Sequence, residues 1–166
     1  MNNPNRGFTL MEVLVAVLVM VVLTAYTYPQ FSRMIEESNV DIAAADLETI
    51  WNAERVYRAK YSTFTTDING LIGDGLLEPR FSSSAFGTRT FNYSIEQCPG
   101  SCAIPLNNFD ITASRISEKG GGAWSGNITI NELGEICGYV ESSSGHVTIY
   151  PKSYAGDTDC EGEVNG

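Results

Sequence analysis

The chain opens with a short polar stretch, turns apolar at Phe8, stays apolar to Tyr28, and then settles into mixed periodic sequence. Within the 21 residues from Phe8 to Tyr28, Glu12 carries the only charge. At about 1.5 Å per residue a helix of that length reaches roughly 32 Å, enough to cross the hydrocarbon of a bilayer. Beyond it the apolar positions Ala43, Leu47, Ile50, Ala53, Tyr57 and Tyr61 recur at spacings of three and four, while Asp41, Asp46, Glu48, Asn52, Arg55 and Arg58 fall on other faces. This predicts an amphipathic helix that ends near Lys60, with Trp51 widening the buried stripe. Pro29 stands at the junction and is expected to kink or loosen the helix without ending it, because it removes one backbone donor.

Residues 62–90 read as a connecting loop that Ile68, Leu71, Leu76 and Leu77 tack onto the core. Strand-like segments follow at 91–95, 109–116, 127–131, 135–140 and 147–150, with period-2 alternation clearest in Ile128 and Ile130 and in Val147 and Ile149. Short turns such as Leu133-Gly134 favour an antiparallel meander. The expectation is an α+β fold in which a sheet of about four strands lies on the C-terminal half of the long helix. Ser82-Ser83-Ser84, Gly120-Gly121-Gly122 and Ser142-Ser143-Ser144 suit exposed turns.

A lone carboxylate deep in lipid costs on the order of 2.5 to 3.5 kcal/mol, so Glu12 calls for a compensating partner. An ordinary signal peptide is cut after its apolar region at small residues, and Thr24 to Pro29 offers no such site. A plain single-pass anchor needs neither Glu12 nor Gly7. Arg6 precedes the span in a stretch, residues 1–7, that has no acid to offset it, which is expected to keep the N-terminus in the cytoplasm and to place the rest outside. The formal net charge is -10, from 20 acids against 10 bases, and no basic cluster stands out, which argues against a broad nucleic-acid-binding surface.

The stretch GFTLMEVLVAVLVMVVL resembles the N-terminal segment of type IV pilins and type II secretion pseudopilins, in the Gly before the cut, the aromatic after it and the acid four residues further on. The resemblance implies a leader of residues 1–7, cleavage by a prepilin peptidase between Gly7 and Phe8, and N-methylation of Phe8. It gives Glu12 a partner in the N-terminal amine of a neighbouring subunit. It also implies the pilin fold: a filament-core helix over 8–28, an amphipathic helix over 29–61, and a globular head over 62–166. The function implied is a structural one, a major or minor pilin assembled with other pilin subunits by inner-membrane machinery. A type II secretion pseudopilin, or a tip pilin acting in adhesion or DNA uptake, shares the architecture. The subunit then sits in the bacterial inner membrane before assembly and in an extracellular pilus or periplasmic pseudopilus afterwards.

Four cysteines, Cys98, Cys102, Cys137 and Cys160, all follow the span, and their even number in an exported region favours disulfides. Three pairings are possible. Cys98 and Cys102 bracket a Pro-Gly turn that suits a small ring, and the terminal disulfide loop common in pilins supports Cys137 with Cys160. Zinc is the rival, though paired C-x-x-C knuckles are lacking. No cofactor and no catalytic residue is expected: His146 alternates with apolar neighbours and points outward from a strand. Asp157, Asp159 and Glu161 resemble the opening of a calcium loop, but the late bidentate Glu is missing, and a solvated acidic tail is the competing reading. Asn92 and Asn127 each begin an N-x-S/T pattern, a weak signal.

Overall fold

A computed structural model of the chain describes residues 9–82, 90–97, 109–116, 124–145 and 147–154, with the side chains of 26–29 and 97 left out. The chain divides after Glu36 into two compact units. Helix α1, Leu10–Tyr61, contributes to both. In the first unit Thr9 starts the helix: its side-chain oxygen accepts a hydrogen bond from the Glu12 backbone N–H at 3.3 Å, an N-cap that satisfies one of the orphan donors of the first turn. The backbone stays helical through Pro29. The kink expected at Pro29 falls where the side chains lie outside the described residues.

In the second unit the C-terminal half of α1 carries the predicted stripe. Val40, Ala43, Leu47, Ile50 and Ala53 are buried, and Trp51 and Tyr57 pack against the core they enter. Tyr61 departs from the expectation: it is 45% exposed, because α1 ends there and its hydroxyl turns out to Asp74 at 3.2 Å. Asp46, read as a surface position, is buried, with only 8% of its surface exposed. The Tyr93 hydroxyl donates to its Oδ2 at 2.7 Å and the Arg80 guanidinium reaches its Oδ1 at 2.8 Å, so the charge is paired and hydrogen-bonded as burial requires.

The segment after α1 is more structured than a loop. It holds helix α2, Ile68–Gly73, whose N-cap Asp67 accepts from the Asn69 N–H at 2.9 Å, and a 3-10 turn, Pro79–Phe81. Leu71 and Leu77 are buried, with Ile68 and Leu76 packed alongside, as their anchoring role predicts, and Phe81, which the sequence reading did not name, is buried with them. The sheet has five strands, one more than the expected count, in the order β1 (Phe91–Gln97), β2 (Phe109–Arg115), β3 (Trp124–Ile130), β4 (Ile136–Ser142) and β5 (Thr148–Ile149). Every neighbouring pair is antiparallel, so the meander is as predicted. The extra strand is β5, which pairs through only Thr148 and Ile149. Strand β3 starts at Trp124 rather than Asn127, ahead of Gly126, a residue that weakens a strand signal.

Two glycines set how closely β3 and β4 approach. Gly126 has φ +141°, and a Cβ there would lie 2.2 Å from the Tyr139 carbonyl oxygen; Gly138 has φ +88°, and its Cβ would lie 2.3 Å from the Asn127 carbonyl oxygen. Each therefore needs both the positive φ and the absent side chain. The β3–β4 turn is closed by Asn131, whose Oδ1 accepts from the N–H groups of Leu133 at 3.0 Å and Glu135 at 2.9 Å. Beyond β5, the Lys152 ammonium contacts Asp41, tying the end of the sheet to α1.

Candidate processing and assembly segment

The first unit offers the chemistry of a membrane segment and little else. From Leu10 to Leu23 the large apolar side chains are 49 to 86% exposed, on every side of the helix. An 18-residue window here has mean hydropathy 2.3 and none of it is buried within the chain, so this helix is long and apolar enough to cross a membrane. Thr24 returns its hydroxyl to the Met20 carbonyl at 2.7 Å, which spares it a separate polar partner.

Glu12 sits at the third position of α1, in a Thr-x-x-Glu arrangement with its N-cap Thr9. The helix N-terminus favours a negative charge at this place, so the acid has a local role that the reading of an assembly partner does not require. That signal was present in the sequence and was missed. Among the described residues no cation pairs with the Glu12 carboxylate. Gly7 and Phe8 lie outside the described residues.

In the head the predicted cysteine set is seen through one member. Cys137 is buried in β4 and is not a free thiol; Cys98, Cys102 and Cys160 lie outside the described residues. His146 and the acidic residues Asp157, Asp159 and Glu161 lie outside them too. Among the described residues no group of three or more metal-ligating side chains is placed to hold an ion.

Sequence reasoning also missed Glu54. It is fully buried, its Oε2 accepts the Thr65 N–H at 3.2 Å, and its Oε1 has no hydrogen-bond partner. Burial pushes its carboxyl up to about 7, against the smaller downward pull of the Thr65 hydrogen bond. The signal was available: Glu54 lies four residues after Ile50 and three before Tyr57, on the buried stripe itself.

Residues 2–28 match a family model described as the prokaryotic N-terminal methylation motif. No curated protein and no solved structure matches the chain. The match takes in Gly7, Phe8, Glu12 and the apolar residues that follow, and the N-terminus thus carries the hallmark of type IV pilin and pseudopilin precursors.

Proposed function

We propose that this chain is a structural subunit, a major or minor pilin, of a type IV pilus. The observation that carries the reading is the methylation motif at residues 2–28 joined to a helix whose apolar side chains have no partner surface within their own chain. Lipid satisfies such a helix first, and the helices of neighbouring subunits satisfy it after extraction. Growth is open-ended because each subunit offers one patch to a different patch on the next. In this reading residues 1–7 are the leader, a prepilin peptidase cuts between Gly7 and Phe8 on the cytoplasmic side, and the filament replaces the inner membrane as the home of residues 8–28. The head supplies the outer surface and is closed by Cys98–Cys102 and Cys137–Cys160 disulfides, of which burial of Cys137 supports the second.

Intact-mass analysis of the protein from its native membrane tests this. The mature chain should lack residues 1–7 and carry one methyl group on Phe8, and peptide mapping without reduction should find the two disulfides. A cut after Tyr28, or none, overturns the assignment, and Gly7→Val should block the cut.

Glu12→Ala separates the two roles open to the acid. The Thr9 cap uses the Glu12 backbone N–H, which alanine keeps, so the helix should form and enter the membrane at least as well as the parent. If a neighbour's amine is the partner, that amine is left unpaired, and incorporation into filaments should fall at least about tenfold. Counting tagged variant against parent subunits in sheared filaments decides it, and equal incorporation sinks the pairing role.

A further inference from the structure

Three tyrosines meet on the outward face of the head where the sheet ends. Val140 of β4 pairs with Ile149 of β5 and both are buried, so their chain neighbours Tyr139 and Tyr150 stand together on the opposite face, 42% and 47% exposed. Their ring centres are 5.8 Å apart, and the Tyr150 ring lies closer still to that of Tyr154, at 4.7 Å with 50° between the planes. At that separation two tilted rings touch. The Pro151 carbonyl accepts the Tyr154 N–H at 3.1 Å, and Tyr154 bridges to Ile136 at the start of β4, so a closed turn holds the second ring beside the first.

The rest of the head leaves few other side chains to surrender an electron. Met1, Met11, Met20 and Met34, the methionines of the chain, all precede the unit that begins at Glu37, and no described cysteine is a free thiol. Methionine and thiol sulfur are the common targets of oxidation, so in the head that role passes to aromatic rings. Trp124 is buried, and Trp51 is half-buried under the Arg55 guanidinium. Tyr93 is buried with its hydroxyl on Asp46. Tyr57 and Tyr61 also touch, at 4.6 Å, but Tyr57 packs against the core, and the Lys60 ammonium stands 4.8 Å from the centre of the Tyr61 ring, where a positive charge opposes loss of an electron. At the sheet end the cation between the two rings in sequence, Lys152, is engaged by Asp41.

We propose that Tyr150 and Tyr154 are a site of oxidative coupling, at which a peroxide-driven one-electron oxidant such as a haem peroxidase joins the two rings. Each phenol gives up one electron and its hydroxyl proton. The two radicals then form a carbon–carbon bond between ring positions adjacent to the oxygens. Each joined carbon releases its hydrogen as a proton and each oxygen takes one up, which restores both phenols. The protein loses two hydrogen atoms, and one hydrogen peroxide takes them up as it becomes two waters. Tyr139 supplies a third ring from which a radical passes to Tyr150. The product closes the turn after β5 covalently, and because it belongs to the head alone it goes beyond the filament reading.

The test treats the full chain in detergent micelles with a haem peroxidase and hydrogen peroxide, then reduces all disulfides and digests with trypsin, which separates the two rings by cutting after Lys152. Residues 120–152 and 153–166 should emerge as one species, lighter than their sum by two hydrogens, with fragmentation placing the bond between Tyr150 and Tyr154. Tyr150→Phe and Tyr154→Phe should each abolish this bond, since a phenylalanine ring yields no phenoxyl radical, whereas Tyr139→Phe should retain it. The yield per chain should hold on dilution, as a bond within one chain requires. Free tyrosine coupled in the same mixture shows that the oxidant is active, so absence of the product overturns the proposal. Coupling confined to Tyr57 and Tyr61, bonds formed only between chains, or a product that survives Tyr154→Phe would overturn it equally.

Discussion

Gly138→Val should leave the full chain without a protease-resistant head. Its Cβ would have to stand 2.3 Å from the Asn127 carbonyl oxygen and 3.2 Å from Ile128 Cα, both backbone atoms of the paired strand, at φ +88°. Neither the clash nor the conformation can be relieved by rotating a side chain, so β3 and β4 must separate along a pairing that runs from Trp124 with Ser142 to Ile130 with Ile136. A β-branched residue forced to positive φ costs about 1 to 3 kcal/mol by itself, and the backbone clash brings the total above about 4 kcal/mol, a large part of a domain's stability. Gly73→Ala is the control, since a Cβ there meets nothing within 4 Å, and it should be neutral or mildly stabilising. Limited proteolysis of both variants checks this; a resistant Gly138→Val head would show that the sheet can yield where its geometry says it cannot.

Glu54→Gln should make the head more stable above neutral pH and change nothing in acid. The carboxyl titrates at about 7 in the folded chain against 4.5 when exposed, because burial opposes its charge more than the Thr65 hydrogen bond supports it. The folded state therefore holds a proton that the unfolded state has released, and stability falls as pH rises from 4.5 to 7 and is level above that. Over that interval the penalty amounts to on the order of 3 kcal/mol. Glutamine is neutral throughout and still offers an oxygen to the Thr65 N–H, so the variant should lose this slope and gain most of that amount at pH 8. Urea unfolding of the full chain in micelles, followed by tryptophan fluorescence across pH, measures it; identical slopes in parent and variant would remove Glu54 as the source.

The apolar run from Phe8 and the meander were legible because each rests on repetition: a hydrophobic span broken by the single charge of Glu12, and strands such as Phe109–Arg115 whose buried and half-buried positions alternate without a break. What stayed hidden depended on single residues that contradict their chemical type. Asp46 and Glu54 are acids on a helix, which a sequence reading sends to solvent, yet they lie three and four residues from Ala43 and Ile50 and so share the buried face. Only Tyr93 and Arg80, brought in from β1 and the turn before it, make Asp46 tolerable there, and such distant partners leave no local trace. Strand β5 was placed with the right turn before it but the wrong length, since Val147 precedes the pairing and Tyr150 follows it. The proposed cut between Gly7 and Phe8 and the proposed pairing of Cys137 with Cys160 rest on the family resemblance rather than on periodicity.

The strand order 1-2-3-4-5 has a consequence for how the head is made. No strand waits for a partner from elsewhere in the chain, so each hairpin can zip as soon as its second strand exists, and the loop-closure entropy is met in small instalments. A chain delivered N-terminus first would have α1 in place before any strand and would lay β1 to β4 down in sequence. The final step is the two-residue β5 with its Lys152 contact to Asp41, a clasp that returns the end of the sheet to the helix that came first. A head built in this order exposes the inner edges of β2 and β3 only briefly and leaves β1 and the short β5 as the outer strands, which limits the time in which neighbouring unfinished copies can pair with the inner ones.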